Sequence, residues 1–97
     1  MAQFDLYRLK GGPLVVDLQS DLTGIEASRI VAPLREAGQH AAFPGLNPRV
    51  EIGGQIWIVR IQELTAVPGT ELREHAGSLA PHRDALKRAL DILIEGV

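Results

Sequence analysis

Apolar and polar residues alternate along the first stretch of the chain. Across residues 3–9, Phe4, Leu6 and Arg8 fall on one side and Asp5, Tyr7 and Leu9 on the other. A period of two places successive side chains on opposite faces of an extended backbone, so the pattern predicts a strand with one partly polar face. Lys10-Gly11-Gly12-Pro13 is a turn signal. Residues 14–20 (LVVDLQS) then read as a second strand, antiparallel to the first. Residues 21–28 are mixed around Gly24 and are expected as a loop. Residues 29–34 (RIVAPL) form a short β-rich segment. Pro33 cannot donate to a ladder, which places that segment at a sheet edge or a strand end. Residues 35–48 carry two Gly and two Pro. They read as a long irregular excursion with room for a turn of helix over 35–40.

The clearest local signal covers residues 49–60. Two β-rich runs, RVEI and QIWIVR, flank Gly53-Gly54. Glycine accepts positive φ, which the tight turns of hairpins require, so the pattern predicts a hairpin. Trp57 and Val59 share one of its faces, Ile56 and Ile58 the other, and both faces read as buried or in contact. A further strand is expected over 64–67, ending at Pro68. Residues 69–77 are expected as loop, with room for an edge strand. The last segment is a helix. Ser78 is the predicted N-cap and Pro81 falls in the first turn, where its missing N–H costs little. Leu86, Ala89, Leu90, Leu93 and Val97 recur at helical spacing, while Arg83, Asp84, Lys87, Arg88 and Asp91 lie largely on the other side. Ile92 and Ile94 extend apolar character beyond the stripe, as a dimer seam would. Gly96 supplies the stop. The expected architecture is α+β, mainly β: a curled antiparallel sheet or small barrel with one C-terminal helix.

Length and charge narrow what such a fold can do. At 97 residues the chain is one domain, 1–97, and 45% hydrophobic residues allow it a real core. Ten Lys and Arg against twelve Asp and Glu give a net charge of −2. That is no footprint for general nucleic-acid binding, and it argues against attraction to an anionic membrane. No direct nucleic-acid contact is therefore expected. The absence of cysteine rules out disulfides, thiolate nucleophiles and zinc–thiolate sites. The N-terminus has no apolar run of the signal-peptide kind, and nothing approaches the roughly 20 apolar residues of a membrane helix. A cytoplasmic location is expected.

Candidate chemistry is sparse. At strand spacing Asp17, Gln19 and Asp21 share one face, and paired carboxylates can do acid–base work when their pKa values are pushed apart. No sugar-binding aromatics or phosphate loop accompany them, so hydrogen bonding around a strand end is the simpler role. His40, His75 and His82 lack metal-ligand spacing and read as surface or loop residues. No catalytic residue, metal or cofactor is expected. An apolar last residue, Val97 after Gly96, suits a tail used for contact.

Several segments, in order and over most of the length, resemble the CcdB toxin family. They are QFDLY at 3–7, LVVDLQSDL at 14–22, the segment ending Pro33-Leu34, VEIGGQIW at 50–57, Ala66-Val67-Pro68 and KRALDILIEGV at 87–97. Val-Asp-x-Gln-Ser-Asp is the most specific of them. The resemblance implies a homodimer with an SH3-like barrel core, the fold shared with the Kid and MazF toxins. It implies the toxin of a type II toxin–antitoxin system, of the kind that serves plasmid maintenance. Such a toxin binds the DNA gyrase A subunit, traps the gyrase–DNA cleavage complex, and catalyses no reaction of its own. Carried over by position, the gyrase-binding residues are Leu22, Thr23, Asp91, Ile94, Glu95, Gly96 and Val97. A cognate CcdA-like antitoxin is expected against Trp57, Val50 and Glu51. Two positions depart from the family pattern: Glu95 stands where it has Trp, and Thr23 where it has a second Ile. Both changes remove apolar surface from the proposed grip. Two alternatives accompany this reading. One is a MazF-like mRNA endoribonuclease; the other is a non-toxic homologue that keeps only dimer and antitoxin binding.

Overall fold

A computed structural model describes residues 2–21, 28–38 and 42–96. Within them lie the strands β1 (Asp5–Arg8), β2 (Leu14–Asp17), β3 (Ser28–Glu36), β4 (Arg49–Ile52), β5 (Gln55–Val59), β6 (Thr65–Pro68) and β7 (Glu74–Ser78), followed by helix α1 (Arg83–Glu95). The strands join in the order β4-β5-β3-β2-β1-β7, with β6 also paired to β3. Every pairing is antiparallel. The result is the curled antiparallel sheet with a C-terminal helix that the patterning predicts, in keeping with the SH3-like barrel that the resemblance implies. Gly53 and Gly54 both take positive φ, 60° and 82°, as a two-residue hairpin turn demands.

The largest difference from expectation concerns β3. It is nine residues long and central, and Pro33 lies buried inside it. One edge of β3 pairs with β2. The other pairs with β6 over 28–31 and with β5 over 34–36. Pro33 falls in the gap where the partner changes. Its carbonyl accepts from Arg60 N at 2.9 Å on that side. A strand residue points its N–H and C=O the same way in an antiparallel pair, so the missing donor faces the gap and breaks no ladder bond. Arg35 and Glu36, expected in an irregular stretch with a turn of helix, instead continue β3 and pair with Ile58 and Trp57. Sheet pairing overrides the weak local preference there. Residues 22–27 of the predicted loop lie outside the described residues.

Two faces of the sheet are buried. Leu6, Leu14, Val16, Leu34, Val50, Val59 and Ile61 form the main core beneath α1, which contributes Leu86 and Ala89. Leu90 and Leu93 pack against the same core. On the opposite face Tyr7, Val15, Val31, Val67 and Leu72 form a second, smaller cluster. The helix does not start at Ser78, which ends β7. Ser78 Oγ instead accepts from Ala80 N at 3.1 Å in a short 3-10 turn before Arg83. Gly96 ends α1 in the left-handed conformation, its N–H donating to Ile92 O at 2.8 Å.

Polar contacts secure the irregular parts. Asn47 is buried; its Nδ2 donates to Val59 O and Gln62 Oε1, and its Oδ1 accepts from Phe43 N. A Cβ on Gly45 would lie 2.8 Å from Ile92 Cδ1, so this segment packs closely on the helix. At the other end, Phe4 holds a positive φ of 71° that only its surroundings can sustain. Its N–H donates to Asp17 O at 2.6 Å and its carbonyl accepts from Leu79 N at 2.7 Å.

The Asp17, Gln19, Asp21 group is held in a network of ion pairs and hydrogen bonds. Arg29 Nη2 lies 2.8 Å from Asp17 Oδ2, with Arg29 Nε donating to the same oxygen at 3.0 Å. Both residues are buried. Arg29 Nη2 also donates to Gln19 O, and Gln19 Oε1 accepts from Ile30 N. Asp21 Oδ1 accepts from Gln3 N at 2.9 Å. The network knits the end of β2 to the start of β3 and to the residues before β1. Removing one member of a buried ion pair leaves the other charged and unpaired. Arg29→Met or Asp17→Asn alone is therefore expected to cost about 3–5 kcal/mol in urea unfolding, and the double variant Arg29→Met/Asp17→Leu less than the sum. Strictly additive losses would remove the coupling.

Candidate functional site

Four of the seven residues predicted to grip a target lie together at the end of α1. Asp91, Ile94, Glu95 and Gly96 are all exposed, and Ile94 most conspicuously, at 76%. Ile94 points away from the stripe through which Leu86, Ala89, Leu90 and Leu93 pack. The left-handed Gly96 then turns the chain out of the helix. Leu22, Thr23 and Val97 lie outside the described residues.

The predicted antitoxin residues sit on the β4–β5 hairpin. Val50 and Trp57 are a cross-strand pair, as are Glu51 and Ile56. Val50 is buried in the main core and Trp57, half-buried, packs on it. Glu51 and Ile56 are exposed on the other face. A contact surface here therefore consists of the rim of Trp57, Glu51 and Ile56, with Val50 as support from beneath.

A third locus went unread in the sequence. Where β1 pairs with β7, Tyr7 stands opposite His75 and Arg8 opposite Glu74. His75 Nε2 lies 3.4 Å from Asp5 Oδ2, and the Tyr7 and His75 rings meet edge to face at 5.4 Å. His75 is exposed, as a surface residue is expected to be, and it stands on an edge strand beside a carboxylate partner. Beside it the β1–β2 turn and the segment before β7 enclose a cleft of about 720 Å³ that includes Arg8, Lys10 and Arg73 as well as Glu71 and Glu74. Residues 8–13 and 70–74 meet only through the β1–β7 register, and no local signal in the sequence announces that pairing.

Tyr7 is mostly buried. Burial, and after it the carboxylates of Asp5 and Asp17, push its hydroxyl above the usual value near 10, while Arg29 pulls the other way. A phenol with a raised folded-state pKa stabilises the fold fully below the unfolded pKa and loses that contribution as pH rises through the folded one. Wild-type stability should therefore fall as pH rises above about 10, and Tyr7→Phe should flatten that fall. Denaturant titrations at pH 8 and at higher pH would check it; an equal fall in both proteins would remove the assignment.

Comparison with solved structures gives the same fold. An endoribonuclease from Mycobacterial species bound to its cognate antitoxin superposes with a TM-score of 0.81 at 12% identity, over 97% of this chain and 94% of that one. A Mycobacterial endoribonuclease gives 0.77 at 14% identity, over 97% and 90%. The Mycobacterium tuberculosis toxin MazF-mt6 gives 0.77 at 16% identity, over 96% and 97%. Identities this low mark a shared fold. They nonetheless overturn one expectation. The chain was expected to catalyse nothing, yet two of the structures that share its fold across nearly their whole length are named as endoribonucleases. Residues 3–96 match the family described as CcdB protein. The motifs from Gln3 to the end of α1 and the curled sheet that carries them therefore agree with that match, and the chain belongs to the CcdB family of toxins.

Proposed function

We propose that this toxin, as a homodimer, grips the A subunit of DNA gyrase through the C-terminal tips of its two α1 helices and traps the enzyme on cleaved DNA. The observation that carries this reading is the family match over residues 3–96; the choice of the α1 tail as the gripping surface rests on the sequence resemblance. The exposed Ile94 supports it, since covering a large apolar side chain contributes about 1.5–3 kcal/mol. Asp91, Glu95, Gly96 and Val97 complete the tip, and Leu22 and Thr23 join it on the strength of the sequence match. Glu95 brings a carboxylate where the family pattern has an indole, so it can pair with a target arginine but cannot stack broadly on it. A cognate antitoxin would silence the toxin at the β4–β5 hairpin, against Trp57 and Glu51.

A second reading is cleavage of RNA, favoured by the fold shared with named endoribonucleases and by the His75–Asp5 pair, the kind of group that moves protons in phosphodiester chemistry. Two assays separate the readings. Purified protein added to gyrase and supercoiled plasmid should leave linear DNA after denaturation and protease treatment. Incubation of the same protein with a labelled transcript reads the second. Cut RNA with untouched gyrase would replace the first reading by the second. Neither effect, together with tight antitoxin binding, would mark a chain that has lost toxicity. Within the first reading, Glu95→Trp should strengthen gyrase trapping roughly tenfold or more, as restored stacking surface requires. Unchanged or weaker trapping would remove Glu95 as the limiting residue.

A further inference from the structure

We infer that Phe43 is a further contact residue of the gripping tip, an aromatic anchor displayed beside the end of α1; this rests on the gyrase reading and adds a residue to its site. The chain has four aromatic residues, two Phe, one Trp and one Tyr. Phe4 and Tyr7 are buried, and Trp57 packs on the main core. Phe43 is 54% exposed. A large apolar side chain left in water gains most when a partner covers it.

Two ties fix the turn that carries it. The first is the buried Asn47, whose Oδ1 accepts from Phe43 N at 2.9 Å while its Nδ2 donates to Val59 O and Gln62 Oε1. Leu46 N and Asn47 N both donate to Phe43 O, so both backbone groups of Phe43 are bonded. Burying an amide is costly unless its bonds are made, and here they are made to hold a surface turn in one shape. The second tie is Gly45, with a positive φ of 76°. A Cβ there would fall 2.8 Å from Ile92 Cδ1, so its lack of a side chain lets the turn seat on α1.

That seat lies at the tip. Ile92 and Glu95 stand three apart on α1, so they are neighbours on its surface. Phe43 is two residues from Gly45, a reach of at most about 7 Å. Turn and helix end thus form one surface running from Phe43 to Glu95, with Ile94 exposed beside it. Its charges indicate the partner. Asp91 and Glu95, four apart, share a face, and the last turn of α1 holds no basic residue. Glu95 lies at the negative end of the helix dipole, where a carboxylate lowers stability rather than raising it. A second copy docked on this face would set carboxylate against carboxylate. A protein surface with cations around an apolar patch complements both features, and on this reading the gyrase A subunit presents it. A ring held in one geometry loses little freedom when covered, as an interface anchor requires. The family pattern has its aromatic residue at position 95; here the neighbouring turn supplies one.

Calorimetric titration of the full chain into purified gyrase A subunit tests this. Phe43→Ala should weaken binding at least about tenfold, while thermal unfolding and sedimentation stay as in wild type. Phe43→Leu, apolar but without a ring, should also weaken it, and it reads the site should Phe43→Ala fail to fold. In the Glu95→Trp background, where an aromatic residue returns to the family's own position, the loss from Phe43→Ala should shrink. Unchanged affinity for Phe43→Ala would overturn the proposal and leave the gyrase reading intact. Altered sedimentation of that variant would overturn it too, reassigning Phe43 to a seam between copies. Weakened antitoxin binding with unchanged gyrase affinity would move Phe43 to the antitoxin's surface. Wild-type chain that does not bind the A subunit at all would instead remove the gyrase reading, and this proposal with it.

Discussion

A strand that must serve three partners has to change one of them somewhere along its length. In this chain that change falls at Pro33. One edge of β3 runs beside β2, while the other passes from β6 to β5. At the handover no neighbour asks for an N–H, and the one residue that lacks an N–H stands there. The strands recruited on opposite edges, β2 and β5, line the core beneath α1. The helix packs there through Leu86 and Ala89 and leaves Ile94 and Glu95 exposed at its end.

Local chemistry made much of this architecture legible. The Gly53-Gly54 hairpin, the alternation of β1, the helix stripe and the Gly96 stop each follow from short-range rules, and each is present. The failures have a common cause. Arg35 and Glu36 look irregular beside two glycines and two prolines, yet β5 recruits them. Ser78 is a sound capping residue, but β7 needs it as a strand end, and its hydroxyl only accepts from Ala80 N in the turn that follows. His75 and the cleft around Arg8 and Arg73 depend on pairing between segments more than sixty residues apart. Spacing along the chain carries no such information.

Family and fold speak to different levels of function. Membership in the CcdB family rests on motifs spread from Gln3 to Gly96, whereas the endoribonucleases resemble the chain only in its backbone course. A small curled sheet with a helix at its end can present a tip, a hairpin and a recess in three directions. Which of them has been selected depends on a few exposed side chains, because the buried ones are committed to the same core in every case. The net charge of −2 illustrates the point: averaged over the chain it conceals a recess of the opposite sign.

Phe4 joins the two ends of the chain mechanically. Its amide is tied to Asp17 at the end of β2 and its carbonyl to Leu79 at the approach to α1, while its backbone sits in a conformation that would relax if either tie were cut. Anything fused to or trimmed from the first few residues therefore bears on the approach to the helix whose far end exposes Ile94. A tag placed there would load the approach to the helix, although it lies at the opposite end of the sequence.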